Sequence, residues 1–360
     1  MTPTVVELFA GAGGAALGLQ RAGLKHLACL ELDPDACATL RAAGLPCVEG
    51  DVRDPALYDP SWVGCDLLWS SFPCQAWSNA GKRQGAKDER NGWPWTVDAI
   101  DRLQPKWFAA ENVVGLTNHR GGCEGACLGP DLCPRAYFER VILEQLRIRF
   151  QWVSHQVINA SSLGIPQHRR RIIILAGPSP VEFPKPTHGR PTAQADLFGH
   201  NLTPWVTVGV ALGLVGWGSA TTRQGSAPAG VMVSADVPAC APVAGGNALG
   251  GLYGWEKGEH PELLDSPSPA VCATEYKGTN GKESTGWTAT GGPARASDAL
   301  WLATGRRRLT VEECAVLQGL EGHPIQGATL ASKYRQVGNA VPPAMAEAVG
   351  RSILRSTGHA

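Results

Sequence analysis

The chain opens with a short, mostly apolar run, Thr4-Val5-Val6-Glu7-Leu8-Phe9, that breaks off in a glycine-rich turn. Runs of about four to eight such residues closed by turn residues predict buried strands. Ala15–Gly23 then carries a helical period. The strand pattern returns at Leu27–Leu32, Cys65–Ser70, Trp107–Ala110 and Arg171–Ala176, with an acidic turn at Gly50-Asp51-Val52 and helical stretches at Val97–Leu103 and Tyr137–Phe150. Strands alternating with helices predict an α/β fold, a parallel sheet with helices on both faces. Such sheets bind ligands beyond the C-terminal ends of their strands. After about Pro178 the texture changes. Residues 178–300 are rich in Gly, Pro, Ser, Thr and Ala without a clear period, which predicts a smaller, loop-rich lobe with short strands. Regular pattern resumes at Leu309–Leu320 and at Tyr334–Leu354, the latter helical after Pro343. The chain has no internal repeat.

A length of 360 residues exceeds the roughly 250–300 at which single cores stop growing, so two lobes are expected. Hydrophobic content of 43% and charged content of 18% suit a folded chain. Formal net charge is zero, so a nucleic-acid partner would have to be met by local basic clusters, not by bulk attraction. The first residues, MTPTVVELFAGAGG, lack a basic run followed by a long apolar stretch; no signal peptide or membrane span is expected, and the expected location is the cytoplasm. Of the 11 cysteines, Cys29, Cys37, Cys47, Cys65, Cys272 and Cys314 sit singly in apolar contexts and read as buried, reduced thiols. Cys74 and the group Cys123, Cys127, Cys133 stand apart.

Gly11-Ala12-Gly13-Gly14-Ala15-Ala16 follows a strand and opens a helix. Glycine admits close approach of the backbone to a cofactor, and the helix start offers unused N–H groups. Glu31 ends the next strand, where a carboxylate can grip ribose hydroxyls. The pattern also satisfies G-x-G-x-x-A, so a nicotinamide dehydrogenase fits it equally, and a ligand-free tight turn remains a third reading. Asp51 could accept from an adenine amino group or simply hold a turn. Cys74, in Ser71-Phe72-Pro73-Cys74-Gln75-Ala76-Trp77-Ser78, lies just past a strand in a turn stiffened by Pro73, a position suited to a nucleophile or to an inert thiol. Ser78–Asn91, with Lys82, Arg83, Lys87 and Arg90, reads as a mobile loop able to close on a phosphate backbone, or as a solvated surface loop. Arg169, Arg170 and Arg171 read, taken alone, as a solvated basic run. His119, Cys123, Cys127 and Cys133 lie in a Gly/Pro-rich insertion. Cys3His is a structural zinc set, although the spacing is that of no standard finger; free thiols or a disulfide are the alternative.

ELFAGAGG, SFPCQAWS, Glu111-Asn112-Val113, Gln167-His168-Arg169-Arg170-Arg171, RLTVEECAVLQG (308–319) and YRQVGNAVPP (334–343) occur in that order. Together they resemble the ordered signature motifs of the DNA cytosine-5 methyltransferases of the bacterial and phage type. The match spans all but roughly residues 180–300. Three positions depart from the family pattern: Glu7 stands where Asp is common, Ser71 where Gly is usual and Trp77 where Phe is usual.

The resemblance implies a Rossmann-like S-adenosylmethionine-dependent methyltransferase sheet with a smaller, strand-rich target-recognition lobe. The expected domains are a catalytic and cofactor-binding domain over 1–186, a target-recognition domain over 187–333, and a C-terminal helix, 334–360, returning to the catalytic domain. It implies Cys74 as the nucleophile, Glu111 as the group at ring N3, Arg169 at the base carbonyl and sugar–phosphate, and Arg171 bracing the site. For S-adenosylmethionine it implies Phe9, Ala10, Gly11, Gly13, Gly14, Glu31, Leu32, Asp51, Val52, Pro73, Asn339 and Ala340. A base inside a duplex cannot be reached, so base flipping is implied, with Gln75, Ser78, Lys82, Arg83 and Arg90 meeting DNA. In the variable region, about 187–305, Tyr276 and Lys277 could face the major groove or form a plain β-turn, and Arg306, with Arg307 and Arg308, could touch phosphate. Expected partners are duplex DNA and a cognate restriction endonuclease, with the enzyme itself a monomer. Two rival functions stay open: a tRNA cytosine methyltransferase and a catalytically silent DNA-binding relative.

Overall fold

A computed structural model describes residues 2–73, 90–119, 129–189, 202–212, 268–269 and 310–358. Gln75, Ser78, Lys82, Arg83, Tyr276, Lys277, Arg306, Cys123, Cys127 and Cys74 itself lie outside the described residues. The chain divides into two compact units.

The first unit comprises Met1–Ile158, Arg170–Lys185 and Met345–Ala360. It begins β1 (Thr4–Leu8), α1 (Gly14–Ala22), β2 (Lys25–Glu31), α2 (Pro34–Ala42), β3 (Cys47–Glu49), β4 (Leu67–Ser70), α3 (Trp93–Leu103) and β5 (Trp107–Val113). Next α4 (Pro134–Tyr137), a π-helical turn (Phe138–Ile142) and α5 (Leu143–Arg149) run on as one rod to β6 (Trp152–Asn159). The two-residue β7 (Gln167–His168) precedes β8 (Arg170–Gly177). Seven strands form one sheet in the order β3-β2-β1-β4-β5-β8-β6. β2, β4 and their outer neighbours β3 and β5 pair in parallel, and strand order reverses on either side of β1. That reversal is where a doubly wound sheet opens a crevice for a ligand.

Local chemistry explains these elements. Asp33 accepts hydrogen bonds from the Asp35 and Ala36 N–H groups and Pro34 follows it, so α2 starts there. α1 stops at Gly23, whose φ of 103° suits only glycine at a helix end. The core is aromatic at its centre. Trp93 meets Phe72 and Phe108 edge-on at centroid distances of 5.3 and 6.2 Å, and its indole N–H donates to Gln145 Oε1 at 2.6 Å. Burying side chains of this size stabilises by about 1.5–3 kcal/mol each, so α3 and α5 are clamped to the same face of the sheet. The opposite face packs Ala16, Cys29, Leu40 and Leu45.

One feature departs from the all-parallel sheet that the alternation predicts. β8 runs antiparallel to β5, with Glu111 opposite Ile173 and Val113 opposite Arg171. Parallel neighbours need a crossover of about a dozen residues or more, usually a helix; β8 follows β6 after only the short segment 160–169.

The described residues of the second unit, Asn159–Arg169 and Pro186–Ala344, hold two small parallel pairs, β9 (His188–Gly189) with β10 (Thr203–Pro204) and β7 with β11 (Ser268–Pro269). They also hold α6 (Val208–Ala211), α7 (Val311–Gln318) and α8 (Leu330–Asn339). A reciprocal capping box between Thr310 and Glu313 starts α7. The last helix, α9 (Pro343–Ser356), leads from this unit into the first, where Arg351 donates to the Arg21 carbonyl at 3.2 Å. Where the sequence suggests one regular stretch from Tyr334, the chain forms two helices that part at Ala340–Pro342, because prolines at 342 and 343 remove two N–H donors. No helix among the described residues is long and apolar enough to cross a membrane.

Candidate active site

Five strand ends, those of β1 to β5, meet on one edge of the first unit's sheet. β1 runs out into Phe9–Gly13. Phe9 has φ 55°, Gly11 54° and Gly13 80°. At Phe9 this left-handed conformation costs of order 1–3 kcal/mol and persists only where the surroundings impose it. Ala10 N–H is tied to the Leu30 carbonyl at 3.1 Å and Gly13 N–H to the Ala10 carbonyl at 2.9 Å. Gly13 caps α1 with no side chain, so the helix start, with buried Gly14 behind it, presents backbone N–H groups that no side-chain cap occupies.

Glu31 closes β2. Its Oε2 accepts from Gly11 N–H at 2.7 Å, and Oε1 accepts from Leu32 and Asp33 N–H at 2.8 Å each. Three backbone donors therefore fix this carboxylate against the glycine turn, and each oxygen keeps further acceptor capacity for hydroxyls. Leu32, beside it, is 62% exposed.

Asp51 follows β3. Its carboxylate takes the Arg53 guanidinium across both oxygens, with Nε at 2.9 Å from each, and the Arg53 N–H at 3.0 Å. The Arg53 side chain holds this carboxyl below the usual aspartate value. Arg53 also lies 5.9 Å from the Trp95 ring centroid. Sequence reading gave no hint of this pairing, since Arg53 belongs to no motif. Val52 is buried, and its carbonyl accepts from Tyr58 Oη at 2.8 Å.

After β4 comes Ser71-Phe72-Pro73. Gly92 N–H donates to the Pro73 carbonyl at 3.3 Å, and Asn112 Nδ2 donates to the Phe72 carbonyl at 3.0 Å. A Cβ on Gly92 would fall 2.6 Å from Pro73 Cδ and 3.2 Å from Phe9 Cζ, so only glycine fits where the chain re-enters the fold. Asn91, next to it, is buried and donates to Tyr137 Oη at 2.8 Å. Arg90 is exposed just outside that anchor.

β5 supplies Glu111 and Asn112. Glu111 is 8% exposed, and its Oε1 meets Arg171 Nε of β8 at 2.8 Å. The antiparallel β5–β8 register puts these residues on a diagonal of adjoining strands. Asn112 is the residue that sequence reasoning undervalued: the middle member of Glu-Asn-Val ties the turn leading to position 74 onto the strand that carries Glu111.

In the second unit, Arg169 is 3% exposed and donates through Nη1 to the Gly338 carbonyl at 3.0 Å. Gln167 Nε2 donates to Gln318 Oε1 at 2.8 Å, and Gln318 in turn donates to the Ala340 carbonyl. Arg169 and Arg171 are thus not solvated; only Arg170 of the three is exposed. The Gln-x-Arg motif grips α7 and the end of α8, where Asn339 is exposed and Ala340 buried. At the insertion, Cys133 Sγ lies 3.6 Å from His119 Nδ1.

The profile of the C-5 cytosine-specific DNA methylases matches residues 3–196 and 255–355. The Type II methyltransferase M.NaeI of Lentzea aerocolonigenes is 30% identical over 97% of this chain and 74% of its own length. M.NgoMIV of Neisseria gonorrhoeae is 28% identical over 98% and 97%. Among solved structures, the Dnmt2 methyltransferase of S. pombe superposes with a TM-score of 0.56 at 16% identity over 99% of both chains. At that identity the last likeness speaks for the fold alone.

Proposed function

This chain belongs to the C-5 cytosine-specific DNA methylase family, and we propose that Cys74 is the nucleophile of its reaction and Glu111 the acid beside it. As a member, it moves a methyl group to carbon 5 of cytosine in DNA; the parts its own residues play are the proposal. Carbon 5 is a poor nucleophile until a thiolate adds to carbon 6. In that step the Cys74 sulfur bonds to carbon 6, the carbon 5–carbon 6 π electrons move toward N3 and O2, and Glu111 gives a proton or hydrogen bond at N3. The resulting enamine carries electron density at carbon 5. S-adenosylmethionine supplies an electrophilic methyl group to that carbon. The carbon 5 proton then passes to water, N3 returns its proton to Glu111, the carbon 5–carbon 6 double bond re-forms and Cys74 leaves as thiolate. The observation that carries this reading is the pair Glu111–Arg171: a nearly buried carboxylate held at 2.8 Å by a guanidinium, on a strand whose Asn112 grips the turn leading to residue 74. Arg171 orients Glu111, and Arg169 is proposed to meet the base carbonyl.

The cradle fits S-adenosylmethionine in kind. Gly11 and Gly13 leave room for the methionine part, Glu31 has acceptor capacity for ribose hydroxyls, and Phe9, Ala10, Gly14, Leu32, Val52 and Pro73 supply apolar or backbone surface. Asp51 would have to share its Arg53 contact to reach an adenine amine. Asn339 and Ala340 complete the proposed cofactor set. Glu31→Gln places an amide N–H against backbone donors and lowers cofactor affinity about ten- to a hundredfold. Titration calorimetry with S-adenosylmethionine reads this directly; unchanged affinity would remove Glu31 from the cofactor site.

Gln75, Ser78, Lys82, Arg83, Arg90, Tyr276, Lys277 and Arg306 are proposed DNA contacts. The target-recognition domain is proposed over 187–333, between a catalytic domain over 1–186 and the helical return over 334–360. A monomer working beside a restriction endonuclease is the proposed setting. The 3.6 Å approach of Cys133 to His119 supports zinc at His119, Cys123, Cys127 and Cys133. Transfer of labelled methyl into duplex DNA and into tRNA tests the substrate: label enters cytosine in duplex DNA, and label confined to tRNA would replace this reading by the RNA-directed one.

A further inference from the structure

Beneath α1 and α2, three potential ligands meet inside the sheet. Glu7 of β1 pairs laterally with Cys29 of β2. His26 lies three residues before Cys29, an odd spacing that places side chains on opposite faces of a regular strand. The ladder shifts between Val5 and Val6, so that Val5 pairs with His26 and Val6 with Ala28. This bulge, with Leu27 as the extra residue, turns His26 to the face of Cys29. Glu7 and Cys29 are 0% exposed and His26 6%. One ligand atom from each of the three lies within 4.8 Å of the others. His26 Nε2 meets Glu7 Oε2 at 3.2 Å. Glu7 Oε1 and His26 Nδ1 are buried with no hydrogen-bond partner, each at a cost of about 1–3 kcal/mol if nothing fills the gap.

We propose that Glu7, His26 and Cys29 bind a divalent, zinc-class metal ion taken up as the sheet folds. The donor set suits it. Glu7, His26 and Cys29 offer one carboxylate oxygen, one imidazole nitrogen and one thiolate, three donors of the kinds zinc takes, with the fourth tetrahedral position left to water. Charge closes as well: a divalent cation with one carboxylate, one thiolate and a neutral imidazole is neutral, which a fully buried site requires.

The test uses the full chain carrying C123A, C127A and C133A, which removes the thiols of the other proposed zinc site. It is expressed and refolded with zinc, desalted without chelator and analysed by mass spectrometry for metal. The expected result is stoichiometric zinc, lost on adding Cys29→Ala or His26→Gln in protein whose circular dichroism is unchanged. Cobalt in place of zinc gives a thiolate-to-metal charge-transfer band that Cys29→Ala abolishes. Should these variants fail to fold, the C123A/C127A/C133A chain is melted after refolding with and without zinc, and the metal raises its Tm. Zinc-free protein, zinc kept by both variants, or an unshifted Tm would overturn the site. None of these outcomes touches Cys74 or Glu111, so the methyl-transfer reading stands or falls separately.

Discussion

Cys74→Ser lowers kcat for methyl transfer to duplex DNA by about a thousandfold or more while the variant still binds DNA and S-adenosylmethionine. The size follows from the chemistry of the first bond. A thiol with an ordinary pKa of about 8.5 leaves a few per cent thiolate at neutral pH, and that sulfur anion is a strong nucleophile toward a polarised ring. A serine hydroxyl leaves essentially no anion at that pH and is the weaker nucleophile. The proposed cofactor cradle and proposed DNA contacts do not include this sulfur, so removing it leaves binding in place. Single-turnover incorporation of labelled methyl gives the rate, and fluorescence anisotropy gives the affinity. Serine working at the native rate would mean that no covalent bond to residue 74 is needed.

Glu111→Gln produces the second large loss, about a hundred- to ten-thousandfold in kcat, the range of a positioned general acid. An amide cannot deliver a proton to N3, yet its oxygen can still accept from Arg171 Nε, which lies 2.8 Å from the present carboxylate. The fold therefore survives the substitution and the loss falls on chemistry. Arg171→Met separates the two roles of the pair. It leaves the nearly buried Glu111 without its cation, so it costs about 3–5 kcal/mol of stability as well as rate. Denaturation midpoints and single-turnover rates measured on both variants check this: Glu111→Gln falls in rate alone, Arg171→Met in both. A Glu111→Gln enzyme with native kcat would show that N3 needs no acid at this position.

Much of this site could be read from sequence because its parts are local. A strand, a glycine turn and a helix start lie within residues 4–22, and Glu31 is fixed by its place at the next strand end. The residues that escaped notice act across long sequence separations or between neighbours with no motif. Asn112 reaches Phe72, forty residues away, and Arg53 takes Asp51 from two positions along. Gly338 carries the grip of Arg169. The antiparallel β8 was hidden because an apolar run does not reveal its direction; that depends on the length of the connection before it. β6, Trp152–Asn159, went unread because its buried and exposed positions do not alternate cleanly. The cluster of Glu7, His26 and Cys29 is illegible without register, since the bulge in β2 inverts the facing that residue spacing implies.

Covalent capture on duplex DNA bearing 5-fluorocytosine in the recognised sequence tests the thiolate chemistry most directly. After methyl transfer, carbon 5 of such a base holds fluorine in place of the hydrogen that must leave, so the sulfur–carbon bond cannot be released. The account predicts a protein–DNA adduct that survives denaturation, forms only when S-adenosylmethionine is present, and maps by peptide mass to Cys74. An active enzyme that yields no adduct, or one joined through another residue, would contradict it.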